Sequence, residues 1–180
     1  MTPSDFTQLT APLDAVFSSY DEPEALFEAL LPTVCKVLQA DRCFLVVRQP
    51  ATRLSRVFCW RRSLQFPDLA TEHWEIEQPW EKDDPMFAAA LRTDPSIFVE
   101  DVDTTGADVL NVEFERANFG HRALIHAHIC QDGTLRGILQ PCIFGQPRIW
   151  SEIDRQIVAR VIKQVRPFVV RYGETARLRT

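Results

Sequence analysis

Residues 121–172, HRALIHAHICQDGTLRGILQPCIFGQPRIWSEIDRQIVARVIKQVRPFVVRY, constrain the fold more than any other stretch. Two apolar runs, Arg122–Cys130 and Thr134–Phe144, flank Gln131-Asp132-Gly133-Thr134. Asp-Gly supplies the positive φ angles of a tight turn, so the runs read as a β-hairpin. Pro141 cannot donate to a ladder, which predicts an edge or bulge there. After a Pro-bearing connector, Ser151 with Glu152 in the first turn opens a long helix. Ile153, Ile157, Val161 and Val165 line one face of it, and Val158, Ile162 and Val169 the adjacent one. That stripe is wider than one surface helix needs. Two strands feeding such a helix cannot bury their own apolar faces, so the rest of the chain must cover them.

The preceding residues supply the cover. Phe6, Leu9, Leu13, Val16 and Phe17 recur at helical spacing, with Ser4 and Asp5 as cap candidates and Pro12 as a kink or break. A firmer helix opens at Asp21-Glu22-Pro23-Glu24 and buries Leu26, Leu30, Val34, Val37 and Leu38, with a bend expected at Pro32. Residues 42–49 and 54–61 read as strands joined by a turn at Pro50–Thr52. Residues 62–83 lose periodicity; a loop that long is usually functional or mobile. Asp84 caps a compact helix to Leu91, Ile97–Val99 is a short strand, and Gly106–Asn118 reads as a weak amphipathic helix. The predicted organisation is a helical extension over 1–20, one domain over 21–172, and a polar tail over 173–180.

Composition narrows the function. Of 180 residues, 46% are hydrophobic and 25% charged, which is ordinary for a globular chain able to bury a core without staples. The formal net charge of −5 argues against nucleic-acid or anionic-membrane partners, because phosphate binding needs Lys and Arg. Five cysteines, odd in number and without a C-x-x-C pair, fit buried free thiols in a reducing cytoplasm. The N-terminus has no signal-peptide pattern, and no segment approaches the ~20 apolar residues of a membrane span.

The element order (helix, two strands, loop with small helices, strand, helix, hairpin, long helix) resembles the GAF domain over about residues 24–170. His121-Arg-Ala-Leu-Ile-His-Ala-His-Ile129, Leu135-Arg-Gly-Ile-Leu139 and Pro147-Arg148-Ile-Trp150 resemble the wording of the cyanobacterial branch, found in phytochromes and cyanobacteriochromes. The resemblance implies an α/β fold: a central antiparallel sheet with the terminal helices on one face and small helices and loops on the other. Bilin-binding members carry a Cys-His pair in the helix before the hairpin. Here the corresponding residues are Leu110-Asn111-Val112-Glu113, and Cys142 stands where the family has a late-strand histidine. No covalently attached cofactor is therefore expected.

On the first hairpin strand Arg122, Leu124, His126, His128 and Cys130 share one face. His-x-His with a cysteine beyond matches zinc or copper donors. The plainer account is a hydrogen-bonded row bordering a pocket, and no metal is assigned. The expected ligand contacts are Trp60, Trp74, Trp80, Leu110, Asn111, Phe114, Arg122, Leu124, His126, His128 and Cys142, around a small non-covalent ligand of unknown identity. A plug of the chain's own aromatic residues fits those tryptophans equally well. Arg61-Arg62 and Glu81–Asp84 read as surface. Some GAF relatives reduce methionine sulfoxide with paired loop cysteines, but residues 62–120 contain none, and no phosphate loop or G-x-S-x-G occurs. The expected function is non-catalytic: a sensory or regulatory module signalling through its terminal helices, with Ile153, Ile157, Val161 and Val165 meeting a dimer partner. The alternative is a degenerate docking or assembly module with a self-filled pocket, serving a protein partner in a photosynthetic cell.

Overall fold

The computed structural model describes residues 3–178. Five helices, α1 (Pro3–Ser19), α2 (Pro23–Leu38), α3 (Pro85–Leu91), α4 (Val112–Asn118) and α5 (Glu152–Gly173), surround six strands. The strands are β1 (Arg42–Gln49), β2 (Leu54–Arg61), β3 (Glu75–Ile76), β4 (Ile97–Val99), β5 (Ala123–Gln131) and β6 (Thr134–Ile143). They form one sheet in the order β3-β2-β1-β6-β5-β4, with every neighbouring pair antiparallel.

Side-chain alternation assigns the two faces. Cys43, Leu45 and Val47 of β1, Ala123, Ile125, Ala127 and Ile129 of β5, and Leu139 of β6 join the main core beneath α2 and α5. α1 lies across those two helices, inserting Leu13 between them, and Asp14 accepts from Arg160 Nη2 of α5 at 2.6 Å. Gly137 sets the depth of α5: a Cβ there would stand 2.5 Å from the Val46 carbonyl oxygen and 3.1 Å from a Val169 methyl. The opposite face carries two smaller apolar clusters, Leu124 and Cys142 with Met86 and Leu110, and Leu135 and Ile138 with Phe87. Pro147–Trp150 stitches the layers together. The Trp150 indole donates to the Val99 carbonyl at 2.9 Å, and Arg148 bonds the α2 C-terminal carbonyl of Leu38 and, at 3.2 Å, Asp154.

Several local expectations are corrected. Pro12 does not break α1, which runs through it from Pro3, so Asp5 lies inside the helix; the Ser4 side chain lies outside the described residues. β6 is an interior strand, not an edge: Pro141 pairs with Cys43 of β1, and the β5 ladder runs Leu124↔Cys142 then resumes at Ala127↔Leu139. The register shift sits instead at Ile129/Cys130. The predicted helix over 106–118 begins only at Val112, because Asn111 turns its carboxamide oxygen to the Phe114 amide and acts as the N-cap. Ser151 caps α5 with Glu152 in the first turn as expected, and Asp154 completes a full capping box. Residues 62–83, expected as loop, contribute the edge strand β3 and a 3₁₀ turn over Trp80–Lys82. The helix stripe has its own use: Ile157, Val161 and Val165 are sealed in the chain's own core, and Ile153 is partly buried against it. No helix of the described residues is long and apolar enough to cross a membrane.

Candidate functional site: a cavity on the loop face of the sheet

A cavity of about 190 Å³ opens on the loop face, between the sheet, the 69–78 segment, α3 and α4. Its floor is a cross-strand row. Phe44 of β1 pairs with Gln140 of β6. The β5–β6 register (Leu124↔Cys142, Ala127↔Leu139) then sets His126 opposite Gln140. Side chains directly opposite on one face stand about 5 Å apart at Cβ, so ring, amide and imidazole form one continuous surface. Val46, Val57, Phe87 and Ile138 extend the apolar floor, and Trp80 and Phe119 roof it.

The polar groups are few and unusual. His128 Nδ1 lies 2.7 Å from the Asp94 carbonyl oxygen, which only accepts, so that nitrogen carries the proton. Burial holds both histidines below their ordinary 6.5, so they are neutral at pH 7. His128 Nε2 must then accept from His126 Nδ1, 2.8 Å away. His126 is left with a bare Nε2 acceptor on a ring that lines the cavity. Gln140 is 3% exposed, and its Nε2 has no hydrogen-bond partner.

A second relay lies behind α4. Arg42, wholly buried, donates to the carbonyls of Pro67 at 2.9 Å and Phe119 at 3.3 Å, and to His121 Nδ1 at 3.3 Å. His121 therefore donates through Nε2 to Glu115 Oε2 at 2.7 Å. Desolvation pushes Glu115 up to about 8, opposed by the Arg42 charge, and pushes His121 down to about 3. Desolvation and the nearby Glu115 raise Asp84, the α3 N-cap, to about 6. Glu115 and Asp84 both line the cavity.

Of the residues expected to touch a ligand, Trp80 and His126 do line this cavity. Trp60 and Trp74 pack on the helix face, Trp74 stacking on Tyr172 at 5.3 Å between ring centroids. Leu110, Leu124 and Cys142 fill the apolar cluster beside the cavity, and Phe114 meets Trp80 edge-on. Asn111 is occupied as a cap, His128 stands behind His126, and Arg122 is paired with Asp101 and Asp103 at the surface. No group of three His, Cys, Asp or Glu residues suited to a metal occurs among the described residues. Phe44, Gln140, Glu115 and Asp84 were missed as cavity groups. Strand alternation carried a signal for Phe44 and Gln140, which share the face of their neighbours Arg42 and Cys142.

Known proteins place this architecture. The GAF domain GAF of an Acinetobacter phosphoenolpyruvate-protein phosphotransferase superposes with a TM-score of 0.72 at 9% identity, covering 99% of this chain and 100% of that one. A far-red absorbing dark-state structure with bound biliverdin IXa gives 0.70 at 15% identity, covering 92% and 98%. The GAF domain of the cyanobacteriochrome TePixJ gives 0.62 at 18% identity, covering 86% and 93%. At such identities these likenesses speak for the fold alone. No curated protein matches the sequence. The family pattern described as GAF domain matches residues 22–166, most of the chain. The chain belongs to the GAF domain family, whose members are generally sensory and regulatory domains.

Proposed function

We propose that this GAF domain is a non-catalytic sensory module that holds a small ligand non-covalently in the loop-face cavity and relays its presence to the terminal helices. The observation that carries the reading is the 69–78 segment. Thr71, Glu75, Ile76 and Glu77 line the cavity, while Trp74, between them in sequence, stacks on Tyr172 of α5. One short segment thus touches both the ligand space and the end of the C-terminal helix. A ligand that favours one arrangement of this segment biases α5 by as much as it discriminates between the arrangements.

Non-covalent binding is supported by where the thiols lie. Among the described residues no cysteine lines the cavity; Cys142 is buried beside it, its thiol raised to about 12 chiefly by desolvation. Such a thiol is a poor nucleophile. At positions 110–113, Leu110 is core and Asn111 is a cap.

Native mass spectrometry of the purified chain, followed by release and identification of small molecules, tests the reading. A stoichiometric small molecule that is lost from an Ile138→Trp variant, which fills the cavity, is the expected result. A ligand-free protein whose melting temperature responds to no member of a metabolite collection would overturn it. The docking alternative draws on exposed Leu64 (86%) and Ile76 (62%) near the same loop. It predicts a ligand-free protein that co-purifies with a defined complex, and loss of that complex in Leu64→Ser.

A further inference from the structure

The cavity's open polar atoms indicate the charge of its occupant. Glu115 is 1% exposed, and His121 takes only one of its carboxyl oxygens, Oε2, at 2.7 Å. The other, Oε1, meets no donor from the chain and yet is not sealed, so the surface it keeps opens into the cavity that Glu115 lines. His126, 4% exposed, does the same: its Nδ1 proton goes to His128, and its Nε2 has no partner and faces the same space. Two almost wholly buried residues therefore present unmet atoms to one cavity. An imidazole nitrogen without a proton only accepts, and so does an ionised carboxylate. In the free protein a proton sits on Glu115, which desolvation raises to about 8 against the Arg42 charge. An ammonium beside Oε1 supplies the countercharge that lets this proton leave.

The surrounding charges favour a cation. Glu75, Glu77, Asp84 and Glu115 line the cavity, and neither Lys nor Arg does. The nearby guanidinium groups are engaged: Arg48 and Arg53 with Glu77, Arg42 with the Pro67 and Phe119 carbonyls. Asp84, 4% exposed, spends its carboxyl on backbone amides at the α3 N-terminus and has Glu115 as its charged neighbour. An anion would be buried against these carboxyl groups, whereas a cation meets charge it can pair with. A bare metal ion is a poor fit, since no group of three donors suited to one occurs among the described residues. The walls suit an organic cation instead. Trp80 and Phe119 meet at 83° with centroids 6.0 Å apart, and Val57, Phe87 and Ile138 add apolar floor. Aromatic faces attract an organic ammonium and cover its apolar part. At about 190 Å³ the cavity falls below the ~300–1,000 Å³ of drug-sized sites, so the occupant carries about one ring.

We infer that this cavity takes a small organic amine in its protonated form, its N–H groups held by Glu115 and His126 and its apolar part in the Trp80–Phe119 corner. This rests on the reading of the cavity as a ligand site and adds the ligand's charge and chemical class to it.

Three probes of similar size test the inference on the full chain at pH 7: benzylamine (cation), benzyl alcohol (its neutral counterpart) and benzoate (anion). Binding is followed by titration calorimetry and by NMR shifts of the Ile138 and Val57 methyl groups and the Trp80 indole. Benzylamine is expected to shift those resonances and to bind at least tenfold more tightly than benzyl alcohol, with benzoate weakest. Glu115→Gln keeps the shape of the side chain but cannot ionise. It should weaken benzylamine at least tenfold and remove its lead over benzyl alcohol. Benzyl alcohol or benzoate binding at those resonances as tightly as benzylamine would overturn the inference, as would an unchanged benzylamine affinity in Glu115→Gln. Should that variant not fold, the ranking of the three probes on the native chain decides alone. If no probe binds, the amine inference fails. The sensory reading then still stands where the natively purified protein carries a different small molecule that is lost from Ile138→Trp. It falls where the protein carries none and no metabolite shifts its melting temperature.

Discussion

Arg42 is among the largest side chains buried completely, and it does the work of several residues. Its guanidinium satisfies two carbonyls and His121, and lies 4.9 Å from the Phe144 ring centroid. Arg42→Met keeps the apolar stem but leaves those acceptors unpaired. A loss of about 3 kcal/mol is expected, seen as a melting temperature lower by roughly 6–12 °C in calorimetry. Glu115 supplies a test by pH. Its folded value of about 8 lies above the ordinary 4.5, so the folded state holds the extra proton and stability falls as pH rises between those values. Asp84 acts in the same sense up to about 6. His121 and His126, lowered by burial, act oppositely, losing stability as pH falls below 6.5. His128 is lowered in the same way, and because unfolded histidines give up their protons around 6.5 the slopes oppose one another up to about pH 7; above that Glu115 dominates. Denaturation between pH 7 and 8 is expected to show a Glu115 contribution falling by about 1 kcal/mol, partly offset by the histidines. Glu115→Gln should flatten that slope; an unchanged slope would place the proton elsewhere.

At the scale of elements, α1 and the β6–α5 contact carry separable predictions. α1, of 17 residues, packs chiefly on α2 and α5, and a helix in a folded protein owes most of its stability to such packing rather than to its own propensity. Leu13 is its fully buried anchor. Leu13→Ala should cost about 3 kcal/mol, and hydrogen exchange should then show α1 opening ahead of the sheet. Gly137 lets α5 close on the sheet. Gly137→Ala would press a methyl against the Val46 carbonyl oxygen, a backbone atom that cannot turn aside. Overpacking of this kind costs about 1–3 kcal/mol, measurable as a lower urea midpoint. Gly133 of the hairpin turn has open space around it but a φ of +67°, so alanine there strains the backbone instead.

For the whole molecule, the sheet separates a face covered by the long helices from a face that holds the cavity. The helix face is sealed by the largest apolar cluster, whereas the loop face divides its apolar residues into two smaller clusters with the cavity between them. Segment 69–78 is the route around the sheet edge that joins the two, through β3 and the Trp74–Tyr172 stack. If it relays ligand binding, saturating the cavity should slow hydrogen exchange both in 69–78 and in the last turns of α5. Trp74→Ala should preserve binding while abolishing the α5 response. Protection confined to the cavity walls in the unmodified protein would show that the helix is not part of the response.

The hairpin, the long helix and the assignment of β5 residues to two faces were legible in the sequence, because each depends on local periodicity, a turn residue or a cap. Of the residues those signals offered to a ligand, His126 and Trp80 line the cavity. The same signals also credited Trp60 and Trp74 to the cavity and offered Ile157, Val161 and Val165 to a partner. Periodicity tells which residues share a face but not what covers that face; coverage depends on contacts between segments far apart in the chain. Arg42 with His121, Gln140 beside Phe44 and His126, and Glu115 against Asp84 are such long-range meetings. A buried charge or an unpaired amide becomes recognisable only when the fold has removed it from water, so tertiary structure alone decided where the cavity lies and which groups line it.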